Sequence, residues 1–421
     1  MGNSNVVFVL GAGASYADGA PLQAEILPII MSDELQDIPV SPVGRTVREF
    51  IADNFAWNAG ARIYPTLETV FGFLDYFISQ DEHLSAKYTN RKIRYIKEGL
   101  IKLIHYVISA KSNKQGQTYR SFWEAVRKYN RNIAVLTLNY DTLLEEAFGS
   151  VRPNLGYINY CIHLMNYDLP GNGSAPNWWA FPEKSAAPAK GDSPTPVKIM
   201  KGHGSLNWKY CNCCNQILLT PWDTKIDLFS DGFDKPDADA GKHRCPIDAS
   251  EFETLIIPPS HIKKISHPVI SQILNEALRE IRACRKIVFV GYSFPDADVH
   301  FKALFKKSLT AGQEIIVVNN SKKEQLKYNY RALTPNIRFV NLSFADFLKN
   351  NSLLEEILSE FKQLSTIQLS TPGTIRQSPV NTGARSNRFS RAHQRKSASR
   401  PRRSSFCPCR PARRPASGSR L

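Results

Sequence analysis

Six short apolar runs are spread along the chain: residues 5–10 (NVVFVL), 132–138 (NIAVLTL), 197–200, 286–290 (KIVFV), 314–318 (EIIVV) and 337–340. Each is four to seven residues long and mostly apolar, with Lys198 and Arg338 interrupting the third and the sixth. Such runs predict parallel strands buried on both faces. Between them the period changes from strand-like to helical. Ile93, Ile96, Leu100, Leu103, Ile104 and Val107 recur at helical spacing and make one apolar face. Residues 43–130 therefore read as helical, and further helices are expected from about residue 20, through Leu143, Leu144 and Ala147, over 269–284 and over 299–309. A short helix closes the pattern after residue 340.

Strands alternating with helices predict an α/β fold: a Rossmann-like parallel sheet with helices on both faces. The early and late strands would share one sheet, and residues 1–349 would form one domain. Two insertions interrupt it, a helical module at about 43–130 and a small cysteine-bearing lobe at about 207–255. The Pro/Gly/Asn-rich stretch 152–196 reads as an irregular surface excursion. A terminal helix is expected over 350–365. Residues 366–421 are mostly Ser, Arg, Pro and Gln, with Phe389 and Phe406 the only aromatics, and read as disordered.

Charge changes this picture only at the end of the chain. The formal net charge is +16, but thirteen basic residues and no acidic ones follow Thr371, which leaves +3 for the first 370 residues. The predicted folded body is nearly neutral. Nucleic-acid contact is thereby confined to the basic tail, whose other reading is a solvated terminus. No apolar run approaches the roughly 18 residues of a membrane span, and the first apolar stretch is too short for a secretory leader. The expectation is a cytoplasmic protein with no membrane partner.

The polar residues that close the apolar runs carry the candidate chemistry. Gly11-Ala12-Gly13-Ala14-Ser15 follows the first strand, an arrangement that lets backbone N–H groups approach a pyrophosphate at a helix N-terminus. The dehydrogenase fingerprint fails, because Tyr16 stands where its third glycine belongs. Leu136-Thr137-Leu138-Asn139-Tyr140-Asp141 closes the second strand and Gly202-His203-Gly204-Ser205 the third. Gly291-Tyr292-Ser293 and Asn319 close two later ones. All lie where open α/β sheets bind ligands, at strand C-terminal ends.

This ordered set resembles the sirtuin family, and most closely its bacterial SIR2-like branch, in which LNYD, HGS, PPS and GYS segments recur. The resemblance covers about residues 5–349 and implies NAD as substrate. It makes Asn139 and His203 the catalytic pair: Asn139 positions a water or a ribose hydroxyl, and His203 takes a proton from it. Asp141 would hold the nicotinamide carboxamide or its ribose, and its position also suits an N-cap for the helix that follows. Gly11, Ala12, Gly13, Ala14 and Ser15 would face the phosphates, with Gly291, Ser293 and Asn319 completing phosphate and adenosine contacts.

Two departures bear on the reaction. Sirtuin deacylases carry a Pro-Asp-Phe-Arg run after the Gly-rich turn, whereas here Ala20-Pro21 leads into Leu22-Gln23. Where deacylases carry a Phe-Gly-Glu segment along the acyl-lysine channel, this chain has Pro258-Pro259-Ser260. Both losses fall on protein-substrate functions. The resemblance therefore implies an NAD+ hydrolase yielding nicotinamide and ADP-ribose, in an anti-phage setting and held in check by a homo-oligomer or a regulatory partner. The alternatives are an NAD-dependent deacylase or ADP-ribosyltransferase, and a sensor that binds NAD or ADP-ribose without turnover.

Four cysteines crowd the second insertion. Cys211 and Cys214 form a C-x-x-C pair, and Cys245 lies 31 residues beyond Cys214, flanked by His243 and Asp248. The resemblance expects a cysteine where Asp248 stands. Cys211, Cys214 and Cys245 with His243 or Asp248 would suit a structural zinc ion, Cys213 can replace a neighbour, and a metal-free ribbon is the other reading.

Overall fold

In the computed structural model, residues 4–165, 195–220, 228–229, 244–250, 252–260 and 267–359 are described. His243, most of the 152–196 stretch and the basic tail lie outside them.

The chain opens with β1 (Val6–Leu10), a one-turn helix α1 (Ala12–Ser15) and α2 (Gln23–Met31). There follow α3 (Asp37–Val40), α4 (Pro42–Asn54), α5 (Leu67–Gln80), α6 (Asn90–Lys111) and α7 (Thr118–Tyr129). Then come β2 (Ile133–Thr137), α8 (Leu143–Leu155), β3 (Tyr157–Asn159) and β4 (Pro196–Lys201). A small antiparallel sheet is made by β5 (Gly204–Tyr210), β6 (Ile217–Leu219) and β7 (Glu253–Ile256). The chain returns through α9 (Pro268–Ala283), β8 (Lys286–Val290), α10 (Val299–Ser308), β9 (Glu314–Val318), α11 (Glu324–Arg331) and β10 (Ile337–Val340), and ends its described part in α12 (Phe344–Lys349) and α13 (Asn351–Leu358).

Seven strands form one sheet in the order β10-β9-β8-β1-β2-β4-β3, with every pairing parallel. All five residues of β1, β2 and β8 are buried, as expected of central strands covered on both faces. From β1 the chain moves outward through β2 to the β4–β3 edge, then returns to the other side of β1 at β8. The reversal of strand order between β1 and β8 creates a topological switch point, where doubly wound sheets bind ligands. The Rossmann-like expectation holds.

Two cores divide the helices differently from the 43–130 span. α2, α4, α5 and α6 share one core, in which the predicted α6 face from Ile93 to Val107 is fully buried. Leu206 of β5 and Ile256 of β7 join that core. α7 instead packs on α8 and α12, and its Tyr119, Phe122 and Trp123 enter the core of the large sheet. Two elements lacked a periodic signal. β3 is a three-residue edge strand inside the stretch read as irregular, and α11 buries only Leu326 and Tyr330.

Two buried contacts fix the strand ends on which the site stands. The turn after β1 lies against the turn after β8, with the Gly13 N–H donating to Gly291 O at 2.9 Å and the Gly11 N–H to Val290 O at 3.0 Å. Gly291 has φ +60, and a Cβ there would lie 2.3 Å from Ala14 N. Likewise, a Cβ on Gly13 would lie 2.8 Å from Gly291 Cα. The glycines at 11, 13 and 291 thus permit backbone to meet backbone. This close backbone approach is a second reason for glycine at these positions, beside the room for a pyrophosphate expected from sequence.

The second contact joins β4 to α8. Lys201, fully buried at the end of β4, donates to Glu145 Oε1 at 2.8 Å and to Asp141 O at 2.6 Å. Burial pushes the Glu145 carboxyl up, and the Lys201 ammonium opposes that rise. Breaking such a pair strands a charge, whereas replacing both members with apolar groups does not.

Two stability measurements follow. Gly291→Ala is expected to lower unfolding free energy by about 2 kcal/mol or more in urea titration, from positive-φ strain and the Ala14 clash. Lys201→Met is expected to cost about 3–5 kcal/mol, and Lys201→Met with Glu145→Leu to recover most of it. A double variant no more stable than the single would show that the pair's charge balance is not what matters.

Candidate active site

The parallel register of β2 against β4 pairs Thr137 with Lys201, so the segments that follow leave the sheet side by side. The Gly202 N–H donates to Thr137 O at 2.9 Å, and His203 Nδ1 lies 3.2 Å from Leu138 O. A carbonyl only accepts, so Nδ1 carries the proton and Nε2 of the neutral ring carries the lone pair. Asn139, the next residue after Leu138, and His203 thus follow neighbouring strands at the C-terminal edge of the sheet. Both side chains are buried.

His203 is held from both flanks. A Cβ on Gly202 would lie 2.5 Å from the Phe301 ring, and Gly204, at φ +80, faces Leu255 O where a Cβ would lie at 2.1 Å. Substitution at either position would displace the imidazole. Its Nε2 lies 3.3 Å from Asp298 Oδ1 without the alignment of a hydrogen bond. The other Asp298 oxygen accepts from the Tyr292 hydroxyl at 2.9 Å.

Asn139 reaches across to the β1 turn. Its Nδ2 donates to Gly11 O and to Ser15 Oγ, both at 3.0 Å. The Ser15 hydroxyl donates to Asp141 Oδ2 at 2.8 Å and shares a 2.8 Å contact with the Tyr119 hydroxyl. Asp141 also accepts from the Leu143 N–H at 3.2 Å, so it caps α8 while facing Ser15. Burial pushes the Asp141 carboxyl up, and the Lys201 ammonium and the Ser15 hydrogen bond oppose it. Burial, with the Asp141 charge, likewise pushes the Tyr119 phenol up.

The structure thus brings together Gly11, Ser15, Asn139, Asp141 and His203. Gly13 and Gly291 form the floor where the two turns touch. The Gly13 and Ala14 N–H groups are engaged by Gly291 O and Gly11 O, so these two amides already have acceptors within the protein. Ser293 is exposed beyond β8. Asn319 braces the neighbouring turn, with Nδ2 3.5 Å from Tyr292 O and its Oδ1 accepting from the Ser321 N–H. Sequence reasoning missed Tyr119, Lys201 and Asp298. A lysine ending a buried strand was the one available signal.

The 257–260 segment, a strap that follows β7, is tied to the residues around His203. The Ile257 N–H donates to His203 O at 2.8 Å, and Ile257 O accepts from the Tyr140 hydroxyl at 2.6 Å. Ile257, Pro259 and Ser260 are buried.

In the small sheet, the Sγ of Cys211, Cys214 and Cys245 and an oxygen of Asp248 lie within 4.8 Å of one another. The Cys214–Cys245 separation is 3.8 Å, and Cys211 lies 3.3 and 3.5 Å from the Asp248 oxygens. Around an ion bound at Zn–S and Zn–O lengths, tetrahedral edges are about 3.8 Å and about 3.5 Å. The donor set fits. Burial and the neighbouring thiols push Cys214 up to about 12, while hydrogen bonds from Ser250 draw Asp248 down to about 2. Cys213 is half-buried beside the cluster.

Comparison with known proteins matches part of the chain to one family model. Residues 133–340 match the family model described as SIR2-like domain. No curated protein gives a significant match. Among solved structures, a Sir2–p53 peptide–NAD+ complex is 15% identical, with 83% of this chain and 92% of that one covered and a TM-score of 0.37. A Sir2 homologue mutant–ADP-ribose complex is 13% identical over 84% and 92%, also with a TM-score of 0.37. With β2, β4, β8, β9 and the motifs that close them inside the matched span, residues 133–340 carry a sirtuin-like, or SIR2-like, domain.

Proposed function

We propose that the chain is an NAD+ glycohydrolase, cleaving the nicotinamide–ribose bond with water to give nicotinamide and ADP-ribose. NAD-dependent chemistry accords with the SIR2-like domain. The observation that supports the finer reading is that two buried residues, Asn139 and His203, follow neighbouring parallel strands, with His203 held by the carbonyl of the residue before Asn139.

Bond cleavage leaves positive charge on the ribose while the electron pair departs with the nicotinamide nitrogen. Water then attacks the anomeric carbon and loses a proton. With its amino group committed to Gly11 O and Ser15 Oγ, Asn139 has its carbonyl oxygen to orient that water. His203 accepts the proton at Nε2, because Nδ1–H is held by Leu138 O. Asp141, in its bond with Ser15, supplies negative character near the developing charge. These donors and acceptors are already placed, so little reorganisation accompanies reaction.

The strap supports hydrolysis over deacylation. Where a deacylase needs a groove for an acyl-lysine, Ile257 is tied to both His203 and Tyr140. Gly11 to Ser15, Asp141, Gly291, Ser293 and Asn319 are proposed to surround the dinucleotide. An NADase needs restraint, so an oligomer or partner and an anti-phage role belong to this reading. We assign a structural zinc ion to Cys211, Cys214, Cys245 and Asp248, where it would hold the thiols as thiolates and fasten the small sheet.

Two experiments test these assignments. Purified protein incubated with NAD is expected to release nicotinamide, with His203→Ala and Asn139→Ala each lowering the rate by about 10²–10⁴. Release that is indifferent to both changes would refute the site. Release that requires an acetylated peptide would instead identify a deacylase. For the lobe, elemental analysis is expected to find about one zinc per chain, and chelation to lower the melting temperature. A protein equally stable and free of zinc after purification would reject that assignment.

A further inference from the structure

The proposed base also belongs to a second donor cluster, whose other two members hydrolysis does not use. His203, Asp298 and His300 each present one ligand atom, and the three atoms lie within 4.8 Å of one another. We propose that these residues bind a transition-metal dication of the zinc class, and that its binding switches off the reaction that needs His203. The regulatory half rests on the reading of His203 as the base, whereas the binding half stands without it.

Three observations support the site. First, His203 Nε2 is a buried polar atom with no hydrogen-bond partner among the described residues, on a side chain only 6% exposed. Orphan nitrogens of this kind are uncommon, and a ligand at that point would satisfy it. Second, the 3.3 Å from Nε2 to Asp298 Oδ1 is too poorly aligned for a hydrogen bond. It does match the edge of a tetrahedron about an ion bound at zinc's N and O distances, about 3.3–3.4 Å. Third, outer contacts orient two of the ligands. Leu138 O holds the His203 Nδ1 proton and so leaves Nε2 as the metal-facing lone pair, while the Tyr292 hydroxyl donates to the far oxygen of Asp298. Metal-bound imidazoles and carboxylates are usually oriented in this way.

Asp298 immediately precedes α10 and His300 lies in its first turn, so both donors stand on one rigid element facing His203. His300 is the least buried of the three. Three protein donors leave a coordination place for water, as in open zinc sites. The nitrogen that would receive the proton of the attacking water is the nitrogen the ion would take. Occupancy and proton transfer are therefore mutually exclusive.

The test uses the full chain, Co²⁺ as a spectroscopic probe and Zn²⁺ as the inhibitor. Wild type is expected to bind one more equivalent than His300→Ala. The extra Co²⁺ should show weak visible bands without the intense near-ultraviolet thiolate absorption of the cysteine site. His300→Gln, which preserves side-chain volume, guards against a folding defect. Zn²⁺ is expected to suppress nicotinamide release by wild type, while His300→Ala keeps its metal-free rate and needs at least about tenfold more Zn²⁺ for the same suppression. Equal stoichiometry and identical spectra in wild type and both variants would overturn the site. An extra equivalent that leaves nicotinamide release unchanged would overturn the switch. If no form cleaves NAD, the hydrolase reading fails, and stoichiometry and spectra still decide the binding half.

Discussion

The candidate site depends first on the register of two parallel strands. Because Thr137 pairs with Lys201, the chain leaving β2 and the chain leaving β4 emerge together, and the Leu138 carbonyl comes within reach of the His203 ring. A slip of one residue would turn every side chain of β4 to the other face of the sheet. Lys201 would then leave Glu145, and His203 would leave Leu138. The register is guarded from both sides, since Ile199 and Met200 of β4 are fully buried in the sheet's core while Lys201 is anchored in α8.

The crevice is also a place where the protein keeps polar groups dry. Ser15, Asn139, Asp141, Glu145, Lys201, His203 and Asp298 are all buried. Isolated, each would cost several kcal/mol of desolvation. Most are paired within the protein: Ser15 joins Tyr119, Asn139 and Asp141, and Lys201 joins Glu145 and the Asp141 carbonyl. A network satisfied before any ligand arrives is rigid, which suits a site that must meet developing charge without moving. His203 Nε2 and Glu145 Oε2 are exceptions among the described residues, and both adjoin the ends of β2 and β4.

Much of the fold was legible because strands buried on both faces leave apolar runs, as at β1, β2, β8 and β9, while β4 and the edge strand β10 were legible from shorter runs interrupted by Lys198 and Arg338. β3 left no such trace, because Tyr157–Asn159 is too short to rise above the polar stretch around it. α11 was hidden for another reason: its largely exposed EQLKYNYR sequence has no apolar stripe. In the site, Asn139, Asp141 and His203 were legible as polar residues ending apolar strands. Tyr119 was not, since one aromatic among Phe122 and Trp123 on an amphipathic helix looks like core until tertiary contact sets it against Ser15. The glycines were evident by position, but no sequence pattern says that Gly13 meets Gly291.

The same physical logic separates the two donor clusters. In the small sheet, three thiols and a carboxylate offer four donors, and four close a tetrahedron around a soft-tolerant ion with no place for chemistry. At the switch point, two imidazoles and a carboxylate offer three, and one of them is the group whose lone pair hydrolysis needs. A closed site can only stabilise the strands that carry it. An open site that shares an atom with the reaction must compete with it, so the geometry that makes His203 a well-oriented base also makes it available to a cation. Tying Nδ1–H to Leu138 O leaves a single lone pair facing Asp298, and that pair can receive a proton or a metal ion but not both.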